Sequence, residues 1–329
     1  MTNATPDAIF RIAAGFMASK HLFAAAGIGL FEKLAGGAMT LDELATACGV
    51  PRRTVRISAD AMLSLGLLER EGARYRNSDA AAVFLSGSGP APDLRPMLRF
   101  WDRISYGLWA GLETAMRTGE GHRQFSRFSN EEQQIFSAGV EAFSGGAAAA
   151  LAAKYDFSPH RRVLDVGGGT GSFLIPILRR YAALYATLFE LPGACSVART
   201  RLAREPEGAR VTVVEGDFLK DPLPGSHDLV IVANTIHVLS AEHNIDLLKN
   251  IRANATTDTR LLLVDLWLDA ARTGPQPAPL MSGEFLVLSG EGQAYGEADA
   301  DEWLTQTGWR KLGAQPLAGP ASVIVAVAT

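Results

Sequence analysis

The residues whose types and spacing best suit chemistry lie in the middle of the chain, at positions 163–172, which read VLDVGGGTGS. Apolar residues lead into four glycines, and an apolar run at helical spacing follows, so the stretch predicts a strand, a tight turn and a helix. Glycine suits this turn because it accepts a positive φ and lets the backbone approach a ligand closely. The following helix would offer its donor-rich N-terminus to the same ligand. The pattern is typical of a nucleotide-binding turn.

The spacing of the glycines indicates which kind of nucleotide would bind. A dinucleotide fingerprint has the form G-x-G-x-x-G, with its third glycine closing the helix against the strand. Here the glycines at 167, 169 and 171 give the form G-x-G-x-G, and Ser172 occupies the place of that third glycine. Asp165 ends the strand before the turn, and its carboxylate would suit a cationic ligand without a pyrophosphate. If the glycines are taken alone, an ordinary turn between a strand and a helix is the alternative.

Three further predicted strands follow, and polar residues lie at their ends. The second strand ends in Glu190, which is placed to hold a ribose diol. The third, residues 211–218, ends in Asp217, which could accept from an adenine amino group, and in Phe218, which could stack on the ring. Residues 227–234 form the fourth. This series of strand ends disfavours the ordinary turn.

On these residues the sequence resembles the class I S-adenosylmethionine-dependent methyltransferases. More narrowly, it resembles the small-molecule O-methyltransferases with an N-terminal winged-helix dimerisation domain, such as the plant caffeate, acetylserotonin and bacterial polyketide-tailoring types. The resemblance covers nearly the whole chain. It implies an α/β fold, in which a mostly α winged-helix dimerisation domain precedes a seven-stranded Rossmann-like methyltransferase sheet. We place the dimerisation domain at 1–90, a helical connector over the acceptor pocket at 91–155, and the cofactor-binding domain at 156–329.

The cofactor that the resemblance implies is S-adenosyl-L-methionine. We assign its binding to the glycine turn and to the residues at the neighbouring strand ends: Asp165, Gly167, Gly169, Glu190, Leu191, Asp217, Phe218 and Asn234. No metal is expected, because the sequence lacks the Asp/Asp/Asn cluster of the cation-dependent catechol enzymes.

The resemblance places a catalytic histidine at His237, just after the fourth strand. A phenol with a pKa of about 10 needs a base at neutral pH, and histidine, with a pKa of about 6.5, suits that task. Asp265 ends the fifth predicted strand, residues 260–265, and would orient the imidazole ring. The alternatives are a packed histidine at a strand end and an aspartate that caps a helix or forms a salt bridge.

The chain departs from the family pattern near its proposed base. Val238 and Leu239 stand where Asp and Trp are usual, and Ala294 stands where the family has a second glutamate beside the histidine. Glu291, Tyr295 and Glu284 are candidate replacements for that glutamate. For the acceptor pocket we assign four residues: Trp101, Phe143, Glu284 and Phe285.

The N-terminal part carries its own pattern. Helices over residues 7–34 are apolar on much of their circumference, which predicts a homodimer through this region. Helix, turn, helix and hairpin follow, with Thr40 and Glu43 as a capping box. Such a fold could also belong to a DNA-binding regulator with arginines at 52, 53 and 56. Residues 1–100 hold 11 Lys and Arg against 9 Asp and Glu, a surplus of 2 that argues against binding to a phosphate backbone.

Composition limits the remaining possibilities. The 329 residues are 47% hydrophobic and 20% charged with a net charge of -4, which is typical of a globular protein without a nucleic-acid partner. Cys48 and Cys195 match no metal or redox spacing and predict free thiols. We expect a cytoplasmic protein, since residues 1–11 do not resemble a signal peptide and no apolar run predicts a membrane span.

The sequence therefore predicts transfer of a methyl group to a hydroxyl of an aromatic or polyketide-like small molecule. Two rivals stay open at this point. The same fold could methylate nitrogen or carbon, or carry out non-methylating chemistry, and the missing glutamate keeps that alternative open. A ligand-sensing winged-helix regulator is the other.

Overall fold

The computed structural model describes residues 5–89, 91–122 and 127–329. They belong to two compact units, Met1–Arg103 and Ile104–Thr329. The three-part division given above stays a prediction.

The first unit is mainly helical. Its helices are α1 Asp7–Gly27, α2 Leu30–Lys33, α3 Leu41–Cys48, α4 Arg52–Ser64, α5 Asp79–Phe84 and α6 Arg95–Phe100, and its strands are β1 Met39–Thr40, β2 Leu68–Glu71 and β3 Arg74–Asn77. The strands form an antiparallel sheet of order β1-β3-β2. The predicted order of helix, turn, helix and hairpin is present.

The predicted capping box begins helix α3. The side-chain oxygen of Thr40 accepts from the backbone N–H of Glu43 at 3.3 Å, and the Glu43 carboxylate accepts from the backbone N–H of Thr40 at 2.7 Å. Two amides at the helix start are thereby satisfied.

Several arginines of the first unit form ion pairs with acidic side chains. Arg52 pairs with Asp42 at 2.5 Å, and Arg74 pairs with Glu43 at 3.1 Å. These pairs lower the positive potential that a nucleic acid would meet.

Helix α1 has two parts with different surroundings. Near its end, Phe23 and Ala25 are buried within the unit. In its first half, large apolar side chains are more than half exposed: Ile9, Phe10, Ile12, Phe16 and Met17. The apolar surface expected over residues 7–34 is therefore concentrated near the chain's start.

The second unit is built on a seven-stranded sheet of order β6-β5-β4-β7-β8-β10-β9. Its strands are β4 Arg162–Val166, β5 Tyr185–Glu190, β6 Val211–Glu215, β7 Leu229–Ala233, β8 Arg260–Asp265, β9 Trp309–Pro316 and β10 Ser322–Ala328. Strands β4 to β8 pair in parallel, and β10 pairs antiparallel with both β8 and β9. The predicted seven-stranded sheet is confirmed.

Helices cover both faces of this sheet. They are α7 Tyr106–Leu108, α8 Leu112–Thr118, α9 Asn130–Lys154, α10 Leu174–Arg180, α11 Pro192–Leu202, α12 Ala241–Ala253, α13 Ala278–Ser289 and α14 Glu297–Gln306. Side chains alternate between two core clusters: Ile231 of β7 packs in one, and its neighbour Val232 packs in the other. Strands buried on both faces read as continuous apolar runs, as LVIVA of β7 does.

The aromatic-rich region at 94–116 is helical but is divided into short segments rather than forming one continuous helix. Helix α6 is followed by a π-helical turn, Trp101–Ser105, then by α7, a 3-10 turn and α8. Gly107 lies in the three-residue α7 and Gly111 ends the 3-10 turn, and glycine weakens a helix interior.

Helix α9 corrects the expectation that no apolar run is long enough to predict a membrane span. It is long enough to cross a membrane, with a mean hydropathy of 1.4 over its best window, and a third of that window is buried inside the protein. Its Ala148, Leu151 and Ala152 pack in the core. Length and composition alone are weak evidence for a span, because core helices of soluble proteins have both.

Candidate active site

The site lies at one edge of the sheet, because parallel strands bring their carboxyl ends together. Strand β4 is flanked by β5 on one side and β7 on the other, so the order of connection reverses at β4. Ligands bind in the crevice at such a reversal. The glycine turn follows β4, Glu190 ends β5, and His237 follows β7.

The glycine turn lies against the end of β7. Gly167 has a φ of 68°, and a Cβ on it would lie 2.7 Å from the Thr235 hydroxyl and 3.4 Å from the Phe218 ring. Gly169 has a φ of 57°, but a Cβ there would meet nothing within 4 Å. Within the protein, a side chain at Gly169 is therefore opposed by backbone conformation alone.

The Glu190 carboxylate is held by the glycine turn and by the backbone of the next residue. One carboxylate oxygen accepts from the backbone N–H of Gly169 at 3.0 Å, and the other accepts from that of Leu191 at 2.7 Å. Burial raises the pKa of Glu190, and these two donors act in the opposite direction. The carboxylate has further lone pairs for a diol.

Asp165, at the other side of the turn, has no such donors. It is completely buried, and neither carboxylate oxygen has a hydrogen-bond partner in the part of the chain that the structure describes. Burial raises the pKa of Asp165 to about 7, and the charge of Glu190 adds to the shift. Two orphaned acceptors beside an open glycine turn fit a cationic ligand.

Asp217 and Phe218 lie in a loop beyond β6, which ends at Glu215 rather than at residue 218. Asp217 accepts from the backbone N–H of Leu219 at 3.0 Å and pairs with Lys220 at 2.6 Å. The Phe218 ring lies beside the glycine turn. Their roles toward adenine stay predictions.

Asn234 takes an unusual backbone conformation at the end of β7. Its φ is 55°, which is uncommon outside glycine. Its side-chain amide donates to the hydroxyl of buried Ser144, in α9, at 2.8 Å.

His237 and Asp265 meet as the sequence predicted. Nδ1 of His237 lies 2.7 Å from one carboxylate oxygen of Asp265, and the backbone N–H of His237 donates to the other at 3.2 Å. Both residues are buried. Among the described residues, no hydrogen bond is recorded at Nε2 of His237. Phe285 stacks on the imidazole, with ring centroids 3.9 Å apart and planes inclined by 16°.

Glu284 precedes Phe285 in helix α13 and is buried. Its carboxylate accepts from the Ser105 hydroxyl at 2.5 Å and from the Trp109 indole N–H at 2.6 Å. Burial raises the pKa of Glu284, while the two donors act in the opposite direction. Helix α13 is thereby joined to the end of the π-helical segment at Ser105 and to the 3-10 turn at Trp109.

The segment that lacks the family glutamate still reaches the histidine. A Cβ on Gly292 would lie only 2.0 Å from the backbone carbonyl of His237, while Ala294 is buried. Glu291 bonds to Nδ1 of His243 at 2.9 Å, and the Tyr295 hydroxyl donates to the Leu239 carbonyl at 2.7 Å. The hydrogen bonds that Glu291, Tyr295 and Glu284 form here are made to residues other than His237.

The two remaining residues assigned to the acceptor pocket are Trp101 and Phe143. Trp101 belongs to the first unit, whereas the strand-end site belongs to the second. Phe143 lies in α9, one residue before Ser144. Both assignments stay predictions.

The sequence analysis missed several residues that fix the site. Thr235 faces Gly167, and Ser144 holds Asn234. Arg201 of α11 donates to the backbone carbonyl of Thr170 at 3.0 Å and pairs with Glu141 of α9 at 2.8 Å, so two helices hold the glycine turn. The polar run after β7 was the one local signal for Thr235. Nothing in the sequence marks the other contacts, since they join distant segments.

Comparison with known proteins agrees with this geometry. Residues 114–310 match the O-methyltransferase domain, and residues 10–87 match the O-methyltransferase dimerisation domain. The 3-hydroxy-5-methyl-1-naphthoate 3-O-methyltransferase of Streptomyces sahachiroi is 31% identical over 96% of this chain and 93% of its own. The tetracenomycin polyketide synthesis 8-O-methyl transferase TcmO of Streptomyces glaucescens is 30% identical over 97% and 96%.

Solved structures give the same result. Human N-acetylserotonin methyltransferase, solved in complex with S-adenosylmethionine, superimposes with a TM-score of 0.89 at 26% identity, covering 100% of this chain and 99% of that one. PigF, solved with S-adenosylhomocysteine, gives a TM-score of 0.88 at 26% identity, covering 98% and 100%.

The fold and the strand-end site define a class I methyltransferase. The chain belongs to the O-methyltransferase family, carries its dimerisation domain, and uses S-adenosylmethionine as its cofactor.

We predict that Gly167→Ala weakens S-adenosylmethionine binding more than Gly169→Ala does. Both variants would place an L residue at positive φ, at a cost of about 1–2 kcal/mol. The methyl group of Gly167→Ala would in addition meet Thr235 at 2.7 Å, whereas that of Gly169→Ala points into open space. Titration calorimetry of both variants measures the difference. Equal affinities would show that the contact with Thr235 does not shape the site.

We predict that Asp165→Asn is stabilising at high pH and loses this advantage as the pH falls. The folded pKa of about 7 exceeds the unfolded value of about 3.9, so the folded carboxyl binds its proton more tightly. The unfolding free energy of the parent therefore falls by up to about 4 kcal/mol as the pH rises from about 3.9 to about 7. It is level at higher pH.

Urea unfolding of parent and variant gives the difference in their unfolding free energies at pH 5 and at pH 8. Other titrating groups cancel, because they are common to both proteins. A stability difference that is the same at both pH values would contradict the assignment.

Proposed function

We propose that this enzyme methylates a hydroxyl group of an aromatic or polyketide-like small molecule, with His237 as the general base. The observation that carries the proposal is the contact of 2.7 Å between Nδ1 of His237 and Asp265 at the sheet edge. This contact orients the ring and selects the nitrogen that carries the proton, so that the other nitrogen can act as the base.

The carboxylate partner determines which ring nitrogen is basic. An ionised carboxylate only accepts hydrogen bonds, so Nδ1 carries the proton that lies between His237 and Asp265. In the neutral ring, Nε2 then has a free lone pair and can take the proton of an acceptor hydroxyl. The positive charge that develops on the ring is stabilised by buried Asp265.

The chain's own residues suit the cofactor at the adjoining strand ends. Glu190 would hold the ribose hydroxyls, Asp165 would lie against a cationic group, and the turn at Gly167 and Gly169 would admit the backbone close to the ligand. S-adenosylmethionine supplies a methyl group on a sulfonium, already activated for in-line displacement. The protein then has to position the acceptor and remove its proton.

The acceptor class follows from the surroundings of the base. The Phe285 ring stacks on the imidazole and forms an apolar wall beside it. Two similar enzymes are named for a hydroxynaphthoate and for a tetracenomycin polyketide. A flat aromatic acceptor suits such a wall, because aromatic rings gain from stacked and edge contacts.

One observation favours a second candidate, a different reaction of the same cofactor. Ala294 replaces the family's second glutamate, and among the described residues Asp265 is the one carboxylate bonded to His237. An acceptor that needs no deprotonation, such as an amine or an activated carbon, would tolerate this arrangement. The pH dependence described below distinguishes the two.

We further propose a homodimer formed through the N-terminal helix. Five large apolar side chains in the first half of α1 are more than half exposed, and the matched dimerisation domain begins within them at residue 10. A second copy of the chain would cover this surface. Absence of nucleic-acid and membrane partners, and a cytoplasmic location, stay predictions.

We predict that His237→Gln retains cofactor affinity and lowers the methylation rate by about 10²–10⁴-fold, the usual contribution of a positioned base. The defect should shrink as pH rises and for phenols of lower pKa, because such acceptors arrive ionised. Asp265→Asn should give a smaller loss by misorienting the ring. Mass spectrometry of a panel of hydroxylated aromatics, with circular dichroism as the folding control, measures these rates.

A different result would favour the second candidate. If the folded His237→Gln variant stays within a few-fold of the parent at every pH, proton removal by His237 is not part of the reaction. The assignment of the cofactor would be untouched by that outcome.

We predict that the double variant Ile12→Glu/Phe16→Glu is monomeric at micromolar concentration, whereas the parent is dimeric. The two positions are one helical turn apart on α1 and are 78% and 55% exposed. Met116→Glu is the matched control, since Met116 is 69% exposed in the second unit. Light scattering gives the masses. A parent of monomer mass, or a dimeric double variant, would contradict the proposed interface.

A further inference from the structure

We propose that Asp165 makes the cofactor site sensitive to ligand charge: it carries a proton in the free enzyme and releases it to solvent when a cationic ligand binds. The inference rests on the proposed placement of S-adenosylmethionine at the glycine turn. It goes further by stating which ionisation accompanies binding and which ligands cause it.

The surroundings of Asp165 leave its carboxyl group without a donor. The side chain is completely buried, and both oxygens lack a hydrogen-bond partner among the described residues. The backbone of the glycine turn lies directly against it, since a Cβ on Gly168 would come within 2.5 Å of one oxygen. A buried carboxylate in this condition is costly, whereas the protonated form is tolerated.

The charged groups nearby do not supply a counter-charge. On one side, β5 ends in Glu190, whose negative charge opposes ionisation of Asp165. On the other side, β7 ends in neutral Asn234, which is bonded to Ser144. Beyond it, the ring of His237 is engaged with Asp265.

The cationic side chain that contacts the turn, Arg201, is already in an ion pair. Arg201 of α11 forms an ion pair with Glu141 of α9 and donates to the carbonyl of Thr170. Within the described part of the chain, the positive charge that would balance an ionised Asp165 is therefore left to the ligand.

The proton balance of the step is simple. The neutral carboxyl and a cationic ligand give a carboxylate–cation pair and one proton, which passes to the buffer. Burial and Glu190 raise the pKa of Asp165 to about 7, so both forms are populated near neutral pH in the free protein. A cation within about 4–6 Å favours the ionised form.

The cofactor offers two cations, and related ligands separate them. S-adenosylmethionine carries a sulfonium and an ammonium, S-adenosylhomocysteine keeps the ammonium alone, and 5′-methylthioadenosine has neither. If the sulfonium is the partner, the site distinguishes the methyl donor from its demethylated product by charge. If the ammonium is the partner, it distinguishes both from neutral nucleosides.

The test is titration calorimetry of the full-length protein with these three ligands, in two buffers of different ionisation enthalpy, from pH 5.5 to pH 7.5, where the α-amino group of the ligand, with a pKa of about 8, stays mostly protonated. We expect S-adenosylmethionine to release up to about one proton per site near pH 6 and progressively less as the pH approaches 7.5. Its affinity should rise by up to about tenfold per pH unit below pH 7 and level off above. 5′-Methylthioadenosine should release none. The result with S-adenosylhomocysteine assigns the partner cation.

Asp165→Asn is the decisive variant, and Asp246→Asn, at an exposed aspartate of α12, is the matched control. Asparagine keeps the shape and neutrality of the protonated carboxyl, so the fold should persist, but it has no proton to release. Proton release should vanish in Asp165→Asn and persist in Asp246→Asn. Equal proton release by parent and Asp165→Asn would overturn the proposal.

The ligand series tests the proposal even if the variant fails to fold. Proton release by 5′-methylthioadenosine equal to that by S-adenosylmethionine would overturn charge sensing in the parent itself. Failure of S-adenosylmethionine to bind at all would instead contradict the cofactor assignment, so the two failures are distinguishable.

Discussion

The closeness of the glycine turn to the end of β7 is the constraint on which the site depends. Gly167 lies so near the Thr235 hydroxyl that a side chain there would meet it at 2.7 Å. Because the turn lies this close, the backbone N–H of Gly169 can hold the Glu190 carboxylate from the strand on the other side. Two neighbouring strands are thus tied to one loop, and the loop in turn is fixed by Arg201 and Glu141 from two helices.

Three acidic residues at the same sheet edge differ in their partners, and this difference separates their chemistry. Asp265 is engaged by an imidazole and two backbone amides, and Glu190 is engaged by two backbone amides. Asp165 has no hydrogen-bond donor among the residues that the structure describes. Environment therefore sets three behaviours for one functional group: one carboxylate can orient a base, one can accept from a diol, and one is sensitive to ligand charge.

Strand ends and caps could be predicted from the sequence because their signals are local. The apolar run ending in Asp165 and the Thr40–Glu43 spacing each specify an element within a few residues. Contacts between distant segments could not be predicted. The open space at Gly169, the bond from Asn234 to Ser144 and the directions taken by Glu291 and Tyr295 all depend on how separate elements pack. The composition of residues 94–116 also gave no indication of where the helical region between α6 and α8 is interrupted.

The packing of helix α13 explains how His237 can be held firmly with one carboxylate partner. Phe285 covers one face of the imidazole, and the adjacent Glu284 joins the same helix to Ser105 and Trp109. Gly292, just after the helix, lies against the histidine's own carbonyl. The ring is therefore confined by stacking and by backbone contact where the family uses a second carboxylate. Such confinement fixes geometry but adds no negative charge, so the imidazolium is stabilised by Asp265 alone among the recorded contacts.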